Sequence, residues 1–87
     1  MKTGLEDFRK AEDELLCKTY GRYPLAISHG RGSRLWDYSG KEYVDLLAGI
    51  AVTGIGHAHP EIAEVIADQA KKLIHVSNLF YQREQLD

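Results

Sequence analysis

His57 and His59 stand two residues apart at the end of a glycine-rich stretch and just before Pro60. Imidazoles at that spacing can face one side of an extended segment, as metal ligands do. A catalytic zinc needs three protein ligands, and the remaining donors, His29, His75, Glu61 and Cys17, follow no metal-ligand spacing. The residues therefore give no complete metal set. One imidazole is expected to hydrogen-bond the turn before Pro60, and a small metal protein built on His57 and His59 is kept as the sharpest alternative. Cys17 lies among helix-forming residues with no evident base, so it is expected to pack in a core as a small hydrophobe rather than act as a nucleophile. Gly49, Gly54 and Gly56 permit unusual backbone angles or the close approach of a ligand. The stretch lacks the Gly-Lys-Ser/Thr ending of a phosphate-binding P-loop, and Gly54-Ile55-Gly56-His57-Ala58-His59 lacks the third glycine of a dinucleotide fingerprint. No catalytic constellation is complete, and no catalytic residue is assigned.

The elements that carry these residues follow from the pattern. Leu5 to about Lys18 contains no Gly or Pro and spaces Leu5, Phe8, Ala11 and Leu15 three or four apart, which predicts a helix. Its apolar stripe is thin, interrupted by Glu12, Asp13 and Glu14, so the helix should lie on a surface as a peripheral arm. Leu25–Ser28, Ser33–Tyr38 and Glu42–Leu46, separated by glycines and rich in aromatic and branched residues, predict a small antiparallel hairpin or three-stranded meander. Trp36, Tyr38 and Tyr43 lack interleaved cations, so sheet packing is expected of them rather than base stacking. Pro60 suits the first turn of a second helix, with Glu61 at its positive end and Lys71 and Lys72 at its negative end. Ile62, Val65, Ile66, Gln69 and Leu73 mark one face of it. The apolar run Val76–Tyr81 follows, and Gln82–Asp87 reads as the start of another helix. A helical pattern breaking off directly after an aromatic run leads us to expect a piece of a longer protein.

Composition narrows the class. The 87 residues suffice for one small domain, and 44% hydrophobic with 28% charged residues is the balance of a soluble globular chain. Eleven Lys and Arg are scattered among thirteen Asp and Glu, for a net charge of −2, and form no basic block for nucleic acid. The sole cysteine forms no internal disulfide, the first residues show no signal peptide, and no run approaches the roughly 20 apolar residues that span a bilayer. A cytoplasmic protein is expected, with neither membrane nor nucleic acid as a partner.

The order of motifs reaches further. Thr19-Tyr20-Gly21-Arg22-Tyr23-Pro24-Leu25, Gly30-x-Gly32-x-x-Leu35-Trp36-Asp37-x-x-Gly40-Lys41-x-Tyr43-x-Asp45, Ala48-Gly49-Ile50-Ala51-Val52 and Gly56-His57-x-His59-Pro60 resemble the N-terminal region of class III pyridoxal-phosphate aminotransferases. Gly49-Ile50-Ala51-Val52, Gln69-Ala70-x-x-Leu73 and Ser77-Asn78-Leu79-Phe80-Tyr81 are most similar to the acetylornithine-type subfamily of arginine biosynthesis. The resemblance implies an α+β segment of an α/β fold-type I transferase, spanning residues 1–87 as part of the small domain and the approach to the large one. It implies amino transfer between N-acetylornithine and 2-oxoglutarate with pyridoxal 5'-phosphate (PLP), in a homodimer. By position, Tyr20 and Ile50 would contact substrate, and Asn78 would lie near the cofactor phosphate, reaching across the dimer interface. None of the six lysines matches the family's Schiff-base lysine, so this chain by itself is expected to be inactive. A non-catalytic interaction module descended from such an enzyme is the alternative.

Overall fold

Helix α1 (Leu5–Leu15) begins where the Asp7 carboxylate accepts the Gly4 N–H at 3.1 Å, with Glu6 and Asp7 placed against the positive end of the helix dipole. The other end has the opposite character. Glu12, Asp13 and Glu14 crowd the negative end, no cation sits in the last turn, and the helix stops at Leu15, short of the expected Lys18. Cys17 consequently falls outside the helix and is exposed, which corrects its expected place in a core. The computed structural model describes residues 3–87.

The meander forms as expected, with strand order β1 (Ile27–Arg31), β2 (Arg34–Asp37), β3 (Glu42–Val44), antiparallel throughout. The first strand lies later than the Leu25–Ser28 run that predicted it, because pairing runs up to the two-residue connection Gly32-Ser33, with Arg31 opposite Arg34. Gly32, at φ +56°, makes that connection possible. Trp36 stacks on its cross-strand partner His29, ring centroids 5.0 Å apart, and Tyr38 meets Phe8 of α1 at 5.2 Å, so the aromatics do pack the sheet.

Asp37 organises the turn between β2 and β3. Its Oδ1 accepts the Ser39 N–H, the Ser39 hydroxyl and the Lys41 N–H, while its Oδ2 accepts the Tyr43 hydroxyl at 2.9 Å. With these donors, the Ser39 hydroxyl foremost, the carboxyl is held down at about 2. The Tyr43 phenol is pushed up by the same bond.

Helix α3 (Pro60–Lys72) has Pro at its start, Glu61 in its first turn and Lys71 and Lys72 in its last, as the sequence predicts. Beyond it, residues 82–87 form only a 3-10 turn at Arg83–Gln85 rather than the start of an α-helix. Three residues give too few hydrogen bonds to offset nucleation.

α1 touches the end of the sheet through Phe8 and Tyr38, with Leu5, Phe8 and Ala11 half-buried, while α3 packs against no other described helix or strand. Ile62, Val65 and Ile66 stay exposed, and no described residue is buried. The accessible surface is 8004 Å² and the radius of gyration 17.4 Å, against about 5,200 Å² and about 12 Å for a compact chain of this size. The described residues thus have secondary structure and a sheet, but form no core of their own.

Two outcomes follow from this packing. Heated alone, residues 1–87 should lose helical dichroism over a broad range with no calorimetric peak; a sharp endotherm would contradict a coreless chain. The second concerns Asp37, whose folded carboxyl lies below the unfolded value of about 3.9. Its contribution to the hairpin is complete above that value and disappears as pH falls through about 2. A carbon-13 titration of the Asp37 carboxyl should show its midpoint rising in Ser39→Ala, and by less in Tyr43→Phe.

Candidate functional site

Just past β3, the Asp45 N–H donates to the Ser33 carbonyl at 2.8 Å, fixing the end of the strand on the β1–β2 connection. Twelve residues later, His57 returns to the same place, exchanging both backbone hydrogen bonds with Gly32 at 2.9 Å. Close approach requires glycine here. A Cβ on Gly30 would stand 2.8 Å from the His57 side chain, and one on Gly56, at φ +85°, would stand 2.9 Å from the Gly32 backbone.

These anchors bring the two side chains together. His57 Nε2 and Asp45 Oδ2 lie 2.5 Å apart, with the carboxylate side chain only 8% exposed. Asp45 Oδ1 accepts the Leu47 and Ala48 N–H groups, both at 2.9 Å. The bond from His57, followed by those two amides, holds the Asp45 carboxyl below the ordinary carboxylate range. An ionised carboxylate only accepts, so the proton between them sits on His57 Nε2, and the bond is charge-assisted.

Between the two anchors runs an unusual turn, α2 (Ala48–Ala51). Ala48, Gly49, Ile50 and Ala51 have φ of 54°, 62°, 61° and 62°, making a left-handed turn closed by Ala51 N–H to Leu47 O and Val52 N–H to Ala48 O. Left-handed backbone costs roughly 1–2 kcal/mol per non-glycine residue and is most awkward for a β-branched one such as Ile50. Only surrounding structure can hold it, and here that structure is the Asp45 carboxylate at its start and the sheet-bound His57 beyond its end. Thr53 Oγ1 is buried beside the turn without a hydrogen-bond partner among the described residues, a further small cost of this conformation.

The turn presents Ile50 outward at 81% exposure, with Leu47, Val52 and Ile55 also exposed. Tyr20 projects from the irregular segment between α1 and β1 at 77% exposure, and Asn78 lies in a turn after α3 beside Ser77, whose φ is 70°. Among the described residues, no hydrogen bond or aromatic pair joins Tyr20, Ile50 and Asn78 to one another. His57 does act as the hydrogen-bonding imidazole expected near Pro60, although its partner is the distant Asp45 rather than the local turn. His59 precedes α3 without capping it, and among the described residues no three His, Cys, Asp or Glu side chains converge on one point. Nor is any described helix long and apolar enough to cross a membrane.

Asp45 received no role from the sequence. The available signal was an aspartate two residues before the exposed amides of a tight turn, the arrangement of an Asx turn, with a histidine returning at the end of the glycine stretch.

The arrangement has close relatives. The family model described as Aminotransferase class-III matches residues 16–87. An acetylornithine aminotransferase of Methanothermobacter thermautotrophicus is 46% identical over 82 residues, covering 94% of this chain and 21% of that protein. The crystal structure of acetylornithine aminotransferase from Elizabethkingia anophelis superposes with a TM-score of 0.87 at 33% identity, over 94% of this chain and 20% of that one. Ornithine aminotransferase from Toxoplasma gondii, solved with PLP partially occupying its active site, gives 0.85 at 35% identity, over 92% and 19%. The chain thus spans about a fifth of the length of these relatives. The glycine-bounded meander, the left-handed turn and the helix after His59-Pro60 all lie within the matched region, and the chain belongs to the class III aminotransferase family.

Proposed function

We propose that residues 1–87 form the N-terminal part of a PLP-dependent aminotransferase that moves an amino group between N-acetylornithine and 2-oxoglutarate, acting as a cytoplasmic homodimer in arginine biosynthesis. The observation that carries this reading is the family relationship across residues 16–87, with acetylornithine aminotransferases among the similar proteins. The uncovered apolar face of α3 supports it, because a helix with an unpartnered stripe suits a chain that packs against further structure.

The described residues fit PLP in one respect. The Asn78 amide is exposed and engaged in no hydrogen bond among the described residues, leaving its N–H donors free for a phosphate oxygen. PLP, when bound, supplies the carbonyl that takes up the amino group and a ring that withdraws electrons from it. This chain's share of the work is binding and orientation. Asn78 donates to the phosphate, Ile50 covers the methylene chain of the amino donor and excludes water from it, and the Tyr20 hydroxyl meets a polar group of the substrate. The Schiff-base lysine belongs to chain outside residues 1–87, so this segment alone binds no PLP and transfers nothing.

The first measurement is the intact mass of the native protein carrying this N-terminus, expected to be several times 9.8 kDa. That protein should show PLP absorbance and convert N-acetylornithine with 2-oxoglutarate. Asn78→Ala should raise the PLP dissociation constant about three- to tenfold, as for one lost hydrogen bond. Ile50→Ala, which does not worsen the left-handed backbone, should raise KM for the amino donor by a similar factor. A native species of 9.8 kDa, or a longer one without PLP absorbance, would overturn the reading and favour an interaction module.

A further inference from the structure

We propose that Asp45 and His57 are positioning residues for amino-donor recognition, acting together as a clasp that holds the left-handed turn Ala48–Ala51 and so aims Ile50 into the substrate site. The assignment rests on the proposed function for what Ile50 meets, and on geometry for the clasp itself.

Three observations converge on it. The turn cannot hold itself, since Ala48, Ile50 and Ala51 all occupy backbone that L-residues avoid. Its first two free amides, those of Leu47 and Ala48, are both taken by one carboxylate oxygen of Asp45. The other oxygen is taken by His57, whose backbone is pinned to Gly32 on both sides of its peptide. A carboxylate with only one of these partners could rotate about its side-chain torsions. With both oxygens engaged, and the Asp45 main chain bonded to Ser33, its direction is determined, and the turn inherits that direction. Ile50 itself is 81% exposed, so its direction follows the backbone of the turn.

Loss of the clasp should therefore be felt by the substrate that touches Ile50 and not by the reacting centre. In the complete PLP-loaded enzyme, His57→Ala is expected to raise KM for N-acetylornithine about tenfold while kcat and KM for 2-oxoglutarate change less than about twofold. Hydrogen–deuterium exchange of the amides of residues 48–53 should accelerate in the same variant. His57→Gln places an amide N–H donor at the same reach as Nε2 and should restore both readouts, and it also serves if the alanine variant fails to fold. Asp45→Asn, whose remaining oxygen keeps the two amide bonds while its NH2 group in place of Oδ2 no longer accepts the His57 Nε2–H, should fall between wild type and His57→Ala.

Unchanged exchange over residues 48–53 in His57→Ala would overturn the clasp. So would a loss confined to kcat, or a loss that His57→Gln does not repair. Absence of PLP absorbance or amino transfer in the wild-type enzyme would instead overturn the proposed function, and the exchange readout would still decide the clasp.

Discussion

One carboxylate with both oxygens engaged underlies the candidate site. Asp45 takes two amides from the turn that follows it and the imidazole N–H of His57, while its own backbone is bonded to the β1–β2 connection. Removing any one of these partners would leave a poorly exposed charge less satisfied, and the penalty for that exceeds the net gain of making the bond in the first place. The hairpin, the left-handed turn and the returning His57 are therefore linked through a single residue. The two tightest glycine positions, Gly30 and Gly56, exist in this arrangement because the returning His57 strand lies against the hairpin with no room for a Cβ.

The same economy does not extend to the helices. α1 and α3 are each amphipathic, yet α1 meets the sheet at its end alone, through Phe8 and Tyr38, and the aliphatic face of α3 stays in the open. Local signals suffice to form them: carboxylates and Pro60 at their beginnings, and for α3 lysines at its end. Stability is a different matter, because most of a helix's stabilisation in a folded protein comes from burying its apolar face. A chain with this surface gains little from packing within itself. Its order over the sheet and the clasp is local, built on hydrogen bonds to two aspartates, Asp37 and Asp45.

Those two aspartates divide the labour. Asp37 closes the β2–β3 turn and ties Tyr43 to it, a structural task completed within seven residues of chain. Asp45 acts over a longer loop and sustains a conformation that is unfavourable by itself. Strained backbone held by surrounding bonds, with an apolar side chain thrust outward from it, is a common way for a fold to preset a recognition element. Ile50 is the side chain thrust outward here, at 81% exposure, and its meeting with substrate is our proposal.

Much of this was legible from residue order. The helix from Pro60 to Lys72 announced itself by its 3.6-residue stripe and its terminal charges, and the meander by its alternating aromatics between glycines, because both depend on interactions a few residues apart. The family was legible too, since its motifs are strings of residues. The end of α1 at Leu15, which leaves Cys17 exposed, turned on charges within its own last turn. Tertiary structure decided the rest, since the left-handed course of Ala48–Ala51 depends on neighbours that residue spacing does not display. The Asp45–His57 bond is the clearest case: twelve residues separate the partners, and only the return of the chain to Gly32 makes them neighbours.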